Sequence, residues 1–247
     1  MSIRGITFDL WDTLVHDDSD EHHRAAKGLR SKRDERRHLV WEALSADEPI
    51  ALEAVSLAYD TADAAFNKVW KEHHITWPIA ERLAIIIQGL GRSQPRSWDS
   101  LVQATSVMEV EMPPDIITDC RETLATLSKN YQLAIVSDAI VTPGRELRRL
   151  LANHQIADHF SAFAFSDEVG HSKPHPDMFT TVLSELNLAP EEVVHIGDRD
   201  HNDIKGAQAM GMKAILFTAT RDVDAAITSA DAICNSYAEL TETIQRL

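Results

Sequence analysis

The 247-residue sequence predicts an α/β fold, a parallel sheet core with an inserted all-helical layer. Three observations predict it. One short β-prone segment, residues 3–8, opens the pattern. A long stretch with only helical periodicity follows, from about His16 to about Met112. After Pro113-Pro114, apolar strands alternate with helices to residue 217.

The elements follow in order. Ile3-Arg4-Gly5-Ile6-Thr7-Phe8 reads as a buried strand ending at an acidic group, Asp9. The next stretch is rich in Ala, Leu, Glu, Lys and Arg, with apolar residues at helical spacing such as Leu52, Val55, Ala58 and Tyr59. Turn signals at Asp47-Glu48-Pro49, Trp77-Pro78 and Gly89-Leu90-Gly91 divide it into several helices. A helix over about 115–129 then leads to a strand at 132–136. A helix over 144–154 leads to 162–165, one over 176–186 to 193–196, and one over 203–210 to 213–217. Such alternation implies right-handed βαβ crossovers and a parallel sheet covered on both faces. Residues 1–15 and 113–247 are therefore expected to form the core, and residues 16–112 a helical cap.

Composition narrows the function classes. The chain is 44% hydrophobic and 26% charged, enough to bury a sizeable core. A formal net charge of −15 repels nucleic-acid backbones and anionic membranes, though it does not exclude a small phosphorylated ligand held by its pocket's local field. Cys120 and Cys234 have no metal-ligand spacing and read as reduced, partly buried thiols. No leader-like or membrane-spanning run is present, so the expectation is a cytoplasmic protein bound to neither membrane nor nucleic acid. The sequence leaves the oligomeric state open.

Ligands of parallel sheets bind at the carboxyl ends of the strands, where four polar segments fall here. Phe8-Asp9-Leu10-Trp11-Asp12-Thr13-Leu14 ends the first strand and Ile135-Val136-Ser137-Asp138-Ala139 the second. Ser172-Lys173-Pro174-His175-Pro176 follows the third, and His195-Ile196-Gly197-Asp198-Arg199-Asp200-His201-Asn202-Asp203 ends the fourth. In order and spacing, these segments resemble the four motifs of the haloacid dehalogenase superfamily. The resemblance covers almost all of the core, and Ser166-Asp167-Glu168-Val169-Gly170 adds to it.

That resemblance implies a Rossmann-like core and a hydrolase with Asp9 as nucleophile. A carboxylate attacking phosphorus holds the group as an acyl phosphate and splits a hard hydrolysis into two steps. The resemblance implies Mg²⁺ held by Asp9, the Trp11 carbonyl and Asp198, with Asp203 ligating it directly or through another group; hard oxygen donors suit this ion. It also implies a phosphoryl oxygen held by Ser137 and by backbone N–H groups at Asp138 and Ala139, at the start of the next helix. Lys173 would neutralise the transferring group. The expected substrate is a small anionic, phosphorylated metabolite.

One position departs from the family pattern. Phosphatases of this superfamily carry a second Asp two residues after the nucleophile, which protonates the leaving group. Here that residue is Trp11. Asp12 follows, but strand alternation aims it away from Asp9. Three readings follow: a substrate whose leaving group needs little protonation; an acid from the helical layer, with His16, His22 and His23 as candidates; or a 2-haloacid dehalogenase, whose halide leaves unprotonated. The Asp198/Asp203 pair favours the phosphatase, because dehalogenation needs no metal. A weakly catalytic relative that binds a phosphorylated metabolite or a protein is a further alternative. The basic segment His22–His38 reads as a solvated helix face, or as arginines lining the cleft. The doublets Glu21-His22-His23 and Glu72-His73-His74 do not make a zinc site, since adjacent helical side chains diverge.

Overall fold

The computed structural model describes residues 2–247. Strand β1 (Gly5–Phe8) is followed first by α1 (Asp20–Ala26), α2 (Lys32–Ser45), α3 (Leu52–His73), α4 (Ile79–Gly89), α5 (Trp98–Ser106) and the short α6 (Met108–Glu111). Then come α7 (Cys120–Leu127), β2 (Gln132–Ser137), α8 (Gly144–Asn153), β3 (Phe160–Phe165), α9 (Ser166–Val169) and α10 (Pro176–Leu186). The chain continues through β4 (Val193–Gly197), a π-helical turn (Asp200–Lys205) running into α11 (Gly206–Ala209), β5 (Lys213–Phe217), β6 (Ala232–Cys234) and α12 (Tyr237–Gln245).

The six strands form one parallel sheet in the order β3-β2-β1-β4-β5-β6. Connections run one way from β1 and the other way from β4, so a crevice opens at the carboxyl ends of these two neighbours. The register pairs Phe8 with Ile196, and the Asp9 N–H continues the ladder to the Ile196 carbonyl at 2.9 Å. Residues 9 and 198 are thereby brought together across most of the chain.

Strand burial follows from layering. Every residue of β1 and β4 is buried, as expected of a sheet covered on both faces. One face packs Ile6, Phe8, Ile135 and Ile196 against α7, α8 and α12; the other packs Ala134, Val136 and Leu216 against α10 and α11. Helices α2 to α5 enclose a separate apolar cluster around Val40, Val55, Tyr59, Leu83 and Ile86. Ser31 caps α2 by accepting the Asp34 N–H, and α3 stops at His74 in the left-handed conformation.

Several sequence expectations shift. The helix expected over 115–129 spans only Cys120–Leu127, because residues 115–117 pair with Leu14–His16 (His16 N–H to the Asp115 carbonyl at 2.9 Å, Ile117 N–H to the Leu14 carbonyl at 3.0 Å) and Asp119 takes a left-handed backbone. The strand expected at 162–165 begins at Phe160. Strand β6 and helix α12 were not anticipated: Ala-Ile-Cys is too short to show periodicity, and its place is fixed by pairing with β5. Cys120 and Cys234 are buried free thiols. Among the described residues, no helix is long and apolar enough to cross a membrane.

Candidate active site

Four strand-end loops converge on Lys173, whose side chain is only 3% exposed. Its ammonium lies 2.7 Å from Asp9 Oδ1 and donates to Asp203 Oδ1 at 2.6 Å. Its backbone N–H donates to Asp138 Oδ1 at 2.9 Å. Three carboxylates therefore face one buried cation. Burial alone would lower the Lys173 pKa, but Asp203, Asp9 and Asp138 together raise it, so the ammonium stays charged.

Asp203 is held from several sides. Oδ1 also faces Nε2 of His195 at 3.2 Å, and Oδ2 accepts the Arg199 N–H at 2.9 Å. His195 in turn meets the Thr7 hydroxyl through Nδ1 at 2.8 Å. Burial would raise the Asp203 pKa, but Lys173 and His195 hold it below the usual carboxylate range. Gly197 makes this packing possible: a Cβ there would lie 2.3 Å from Asp203 Cγ.

Asp9, Asp198 and Asp203 each offer an oxygen within 4.8 Å of the others. Asp198 Oδ1 is buried without a hydrogen-bond partner, while Oδ2 lies 3.3 Å from Arg221 and 3.6 Å from Arg199. Burial, then Asp203 and Asp9, push the Asp198 carboxyl up to about 8. Burial likewise raises Asp9, and it pushes Asp138 up to about 7. The single ammonium leaves excess negative charge among closely spaced carboxylates. An all-oxygen set with an orphaned acceptor suits a hard divalent cation, which would relieve that excess. Among the described residues, none donates a hydrogen bond to the Trp11 carbonyl, which lies beside this cluster in sequence.

The remaining expected residues are placed as follows. Ser137 is fully buried at the end of β2, and its hydroxyl has no partner. Helix α8 starts at Gly144, as expected, so the Asp138 and Ala139 N–H groups lie in the preceding loop rather than at the helix start, and that loop turns along the cavity through Ile140, Val141 and Thr142. The Ala139 N–H donates to Ser166 Oγ at 2.8 Å, and Ser166 Oγ accepts from Thr76 at 2.8 Å. Trp11 donates its indole N–H to the Asp138 carbonyl at 3.2 Å. Asp12 adopts a left-handed backbone with φ 54°, and its Oδ1 accepts the Asp17 N–H at 3.3 Å.

A cavity of about 280 Å³ opens over these groups. Its floor is Asp9, Asp138, Lys173 and Asp203; its helical side presents Lys32, Arg36, Trp70 and Glu109. The basic segment resolves into two helices rather than one face. Arg33 and Arg37 pair with Asp60, whereas Lys32 is buried against Asp20 at 2.8 Å and Glu109 at 3.1 Å. Only Lys32 and Arg36 of this segment line the cavity. His16, His22 and His23 do not, and His23 instead contacts Asp115 at 3.0 Å. Asp17 does line it, with its carboxyl raised to about 6 by burial and by Asp18 and Glu109.

Arg36 belongs to the basic segment whose arginines were candidates to line the cleft, whereas His195, Thr7, Glu109 and Asp17 carry no role in the sequence reading. A histidine inside an apolar strand was a usable signal for His195; the others are visible only once the helices are folded over the sheet.

A family model described as a haloacid dehalogenase-like hydrolase matches residues 3–211. A glyceraldehyde 3-phosphate phosphatase of Pyrococcus furiosus is 31% identical over 134 residues, 53% of this chain and 55% of that protein. The match thus spans about half the length of that relative. A phosphoglycolate phosphatase of Photorhabdus laumondii is 27% identical over 250 residues, covering 98% of this chain and 92% of that protein. Among solved structures, a 2-haloacid dehalogenase from Pseudomonas syringae superposes with a TM-score of 0.70 at 22% identity, covering 99% of each chain. That likeness speaks for the fold.

Proposed function

The chain belongs to the haloacid dehalogenase-like hydrolases, and on that premise we propose that it is a Mg²⁺-dependent phosphatase of a small phosphorylated metabolite, with Asp9 as nucleophile. The observation that carries this reading is the arrangement around Lys173. One buried ammonium, 2.7 Å from Asp9 and 2.6 Å from Asp203, faces a cavity beside an acidic cluster with an orphaned Asp198 oxygen.

Asp9, Asp198 and the Trp11 carbonyl would hold the ion. Asp203 has both oxygens engaged by Lys173, His195 and the Arg199 N–H, so its role is to position Lys173 and the cluster. Mg²⁺ bound there would shield the nucleophile from the dianionic substrate and polarise the phosphoryl group.

The residues then divide the work. Asp9 attacks phosphorus in line; a P–O bond forms to its carboxylate as the bond to the leaving oxygen breaks. Lys173 balances the charge moving onto the phosphoryl oxygens. Ser137, whose hydroxyl is free, would donate to one of them. Water then attacks the aspartyl phosphate, releases phosphate and restores Asp9. The helices of residues 16–112 serve as a cap that excludes bulk water and places Arg36 toward the distal part of the substrate. A cytoplasmic location goes with this reading.

A second reading rests on Trp11. No carboxylate occupies the family's acid position, which suits a leaving group that departs unprotonated, including the halide of a 2-haloacid. Assays with aryl, alkyl and acyl phosphates and with 2-chloropropionate, with and without Mg²⁺, separate the two. Metal-dependent phosphate release that Asp9→Asn abolishes is the expected result. Metal-independent halide release would transfer the assignment to dehalogenation, and turnover of neither class would leave a binding protein.

A further inference from the structure

The histidine doublets at 22–23 and 73–74 do not gather, but another group does. His171 and His175 flank Lys173 on the loop between α9 and α10. Their rings stack with centroids 3.7 Å apart and planes 5° from parallel. Nδ1 of His171 lies 3.1 Å from Asp177 Oδ2, and Nδ1 of His175 lies 3.6 Å from the same oxygen.

These separations have a chemical meaning. With metal–donor bonds of about 2.0–2.1 Å, neighbouring donors of a tetrahedral site stand roughly 3.3 Å apart. The two observed distances bracket that value. His171 Nδ1 is shielded from solvent yet makes no hydrogen bond, even with Asp177 so near. His175 Nδ1 accepts the Asp177 N–H at 3.3 Å as the cap of α10, so it is unprotonated, and an ion would take over the lone pair that this long contact now engages. Two imidazole nitrogens thus gather on one carboxylate oxygen, which a single proton on His171 Nδ1 can bridge to only one of them.

The backbone holds the donors in place. Pro174 and Pro176 interrupt the loop, the Ser172 N–H donates to the His74 carbonyl at 2.8 Å, and His171 bridges to Ile75. Both rings keep about a third of their surface exposed, at 34% and 31%. Ligation of one ion by both requires the rings to turn out of this parallel stack, toward the side open to solvent.

We propose that His171, His175 and Asp177 form a second cation site, taking a borderline divalent transition metal such as Zn²⁺ and completed by water. Its donor set differs in kind from the oxygen cluster at Asp9, Asp198 and Asp203. Imidazole nitrogen favours Zn²⁺, whereas carboxylate and carbonyl oxygen favour Mg²⁺. Because the ligands straddle Lys173, an ion here braces the loop that presents the ammonium to Asp9. The site depends on no assumption about the substrate.

The test is calorimetric titration of the full chain with ZnCl₂ in saturating Mg²⁺. One equivalent is expected, weakened at least tenfold by His171→Ala and by Asp177→Asn, and unchanged by Asp198→Asn. Circular dichroism and metal-free thermal unfolding should match the parent for both loop variants; if His171→Ala fails to fold, Asp177→Asn alone decides. No Zn²⁺ binding, binding indifferent to the loop substitutions, or binding lost only in Asp198→Asn overturns the proposal.

Discussion

The indole of Trp11 donates to the carbonyl of Asp138, 3.2 Å away, and ties the loop after β1 to the loop after β2. The residue at the family's acid position thus serves as a strut. Trp11→Asp should raise turnover of alkyl phosphates more than that of acyl phosphates, because only the former need a proton delivered to the leaving oxygen. The half-buried indole also packs on the core, so a loss of about 1–3 kcal/mol in unfolding free energy should accompany the change. Equal kinetic effects on both substrate types would remove the argument from the missing acid.

Among the described residues, Lys173 supplies the one ammonium that contacts both Asp9 and Asp203. Lys173→Met should reduce kcat by roughly two orders of magnitude or more. Removing one partner of a buried ion cluster typically costs about 3–5 kcal/mol. Added Mg²⁺ should restore part of the stability but not the rate. Steady-state kinetics and thermal melts, each with and without Mg²⁺, check this; an unaltered melting temperature without metal contradicts the clustered charges described above.

The raised carboxyls set a pH dependence. Asp198 at about 8 and Asp138 at about 7 bind protons more tightly folded than unfolded. Without metal, the contribution of these groups to stability is present near pH 4 and declines as pH rises through 7 and 8. An ion displaces the proton from Asp198, so apparent Mg²⁺ affinity should climb between pH 6 and 8, by up to about tenfold per unit for one proton released. Calorimetry in buffers of different ionisation enthalpy counts that proton. Affinity that is flat over this range would contradict the burial assigned to Asp198.

Gly197 is constrained by contact rather than by backbone angle. In Gly197→Ala the new Cβ must displace Asp203, which otherwise lies 2.3 Å from it. Overpacking of this kind costs about 1–3 kcal/mol. Because Asp203 orients Lys173, Mg²⁺ affinity and kcat should fall together while KM for substrate changes less. An Ala variant with unchanged kinetics would show that Asp203 tolerates a shift.

The Asp203 bridge accounts for a buried histidine. His195→Gln should keep a donor toward Asp203 and lose less activity than His195→Leu, which leaves Asp203 Oδ1 with Lys173 alone. Comparison of the two variants at equal folded fraction, verified by circular dichroism, separates positioning from simple core repair.

Local patterns along the chain suffice for the parallel α/β core, the helical stretch after the first strand, and the four polar segments at strand ends. Each is a local signal: apolar runs of strand length, 3.6-residue periodicity, and polar residues that interrupt apolar strands at their ends. The sequence also shows that position 11 lacks an acid. Tertiary structure decided what those residues touch. Asp9 and Asp198 meet because β1 and β4 are neighbours in register, a relation that no local pattern encodes. Arg36, Glu109 and Asp17 reach the cavity only through the way the helices lie over the sheet. Trp11 finds the Asp138 carbonyl, and the Asp12 carboxyl turns to its own loop, because a left-handed residue bends the chain where strand alternation was expected to continue. Chain pattern sets which groups are available, whereas packing and register set which of them share a charge.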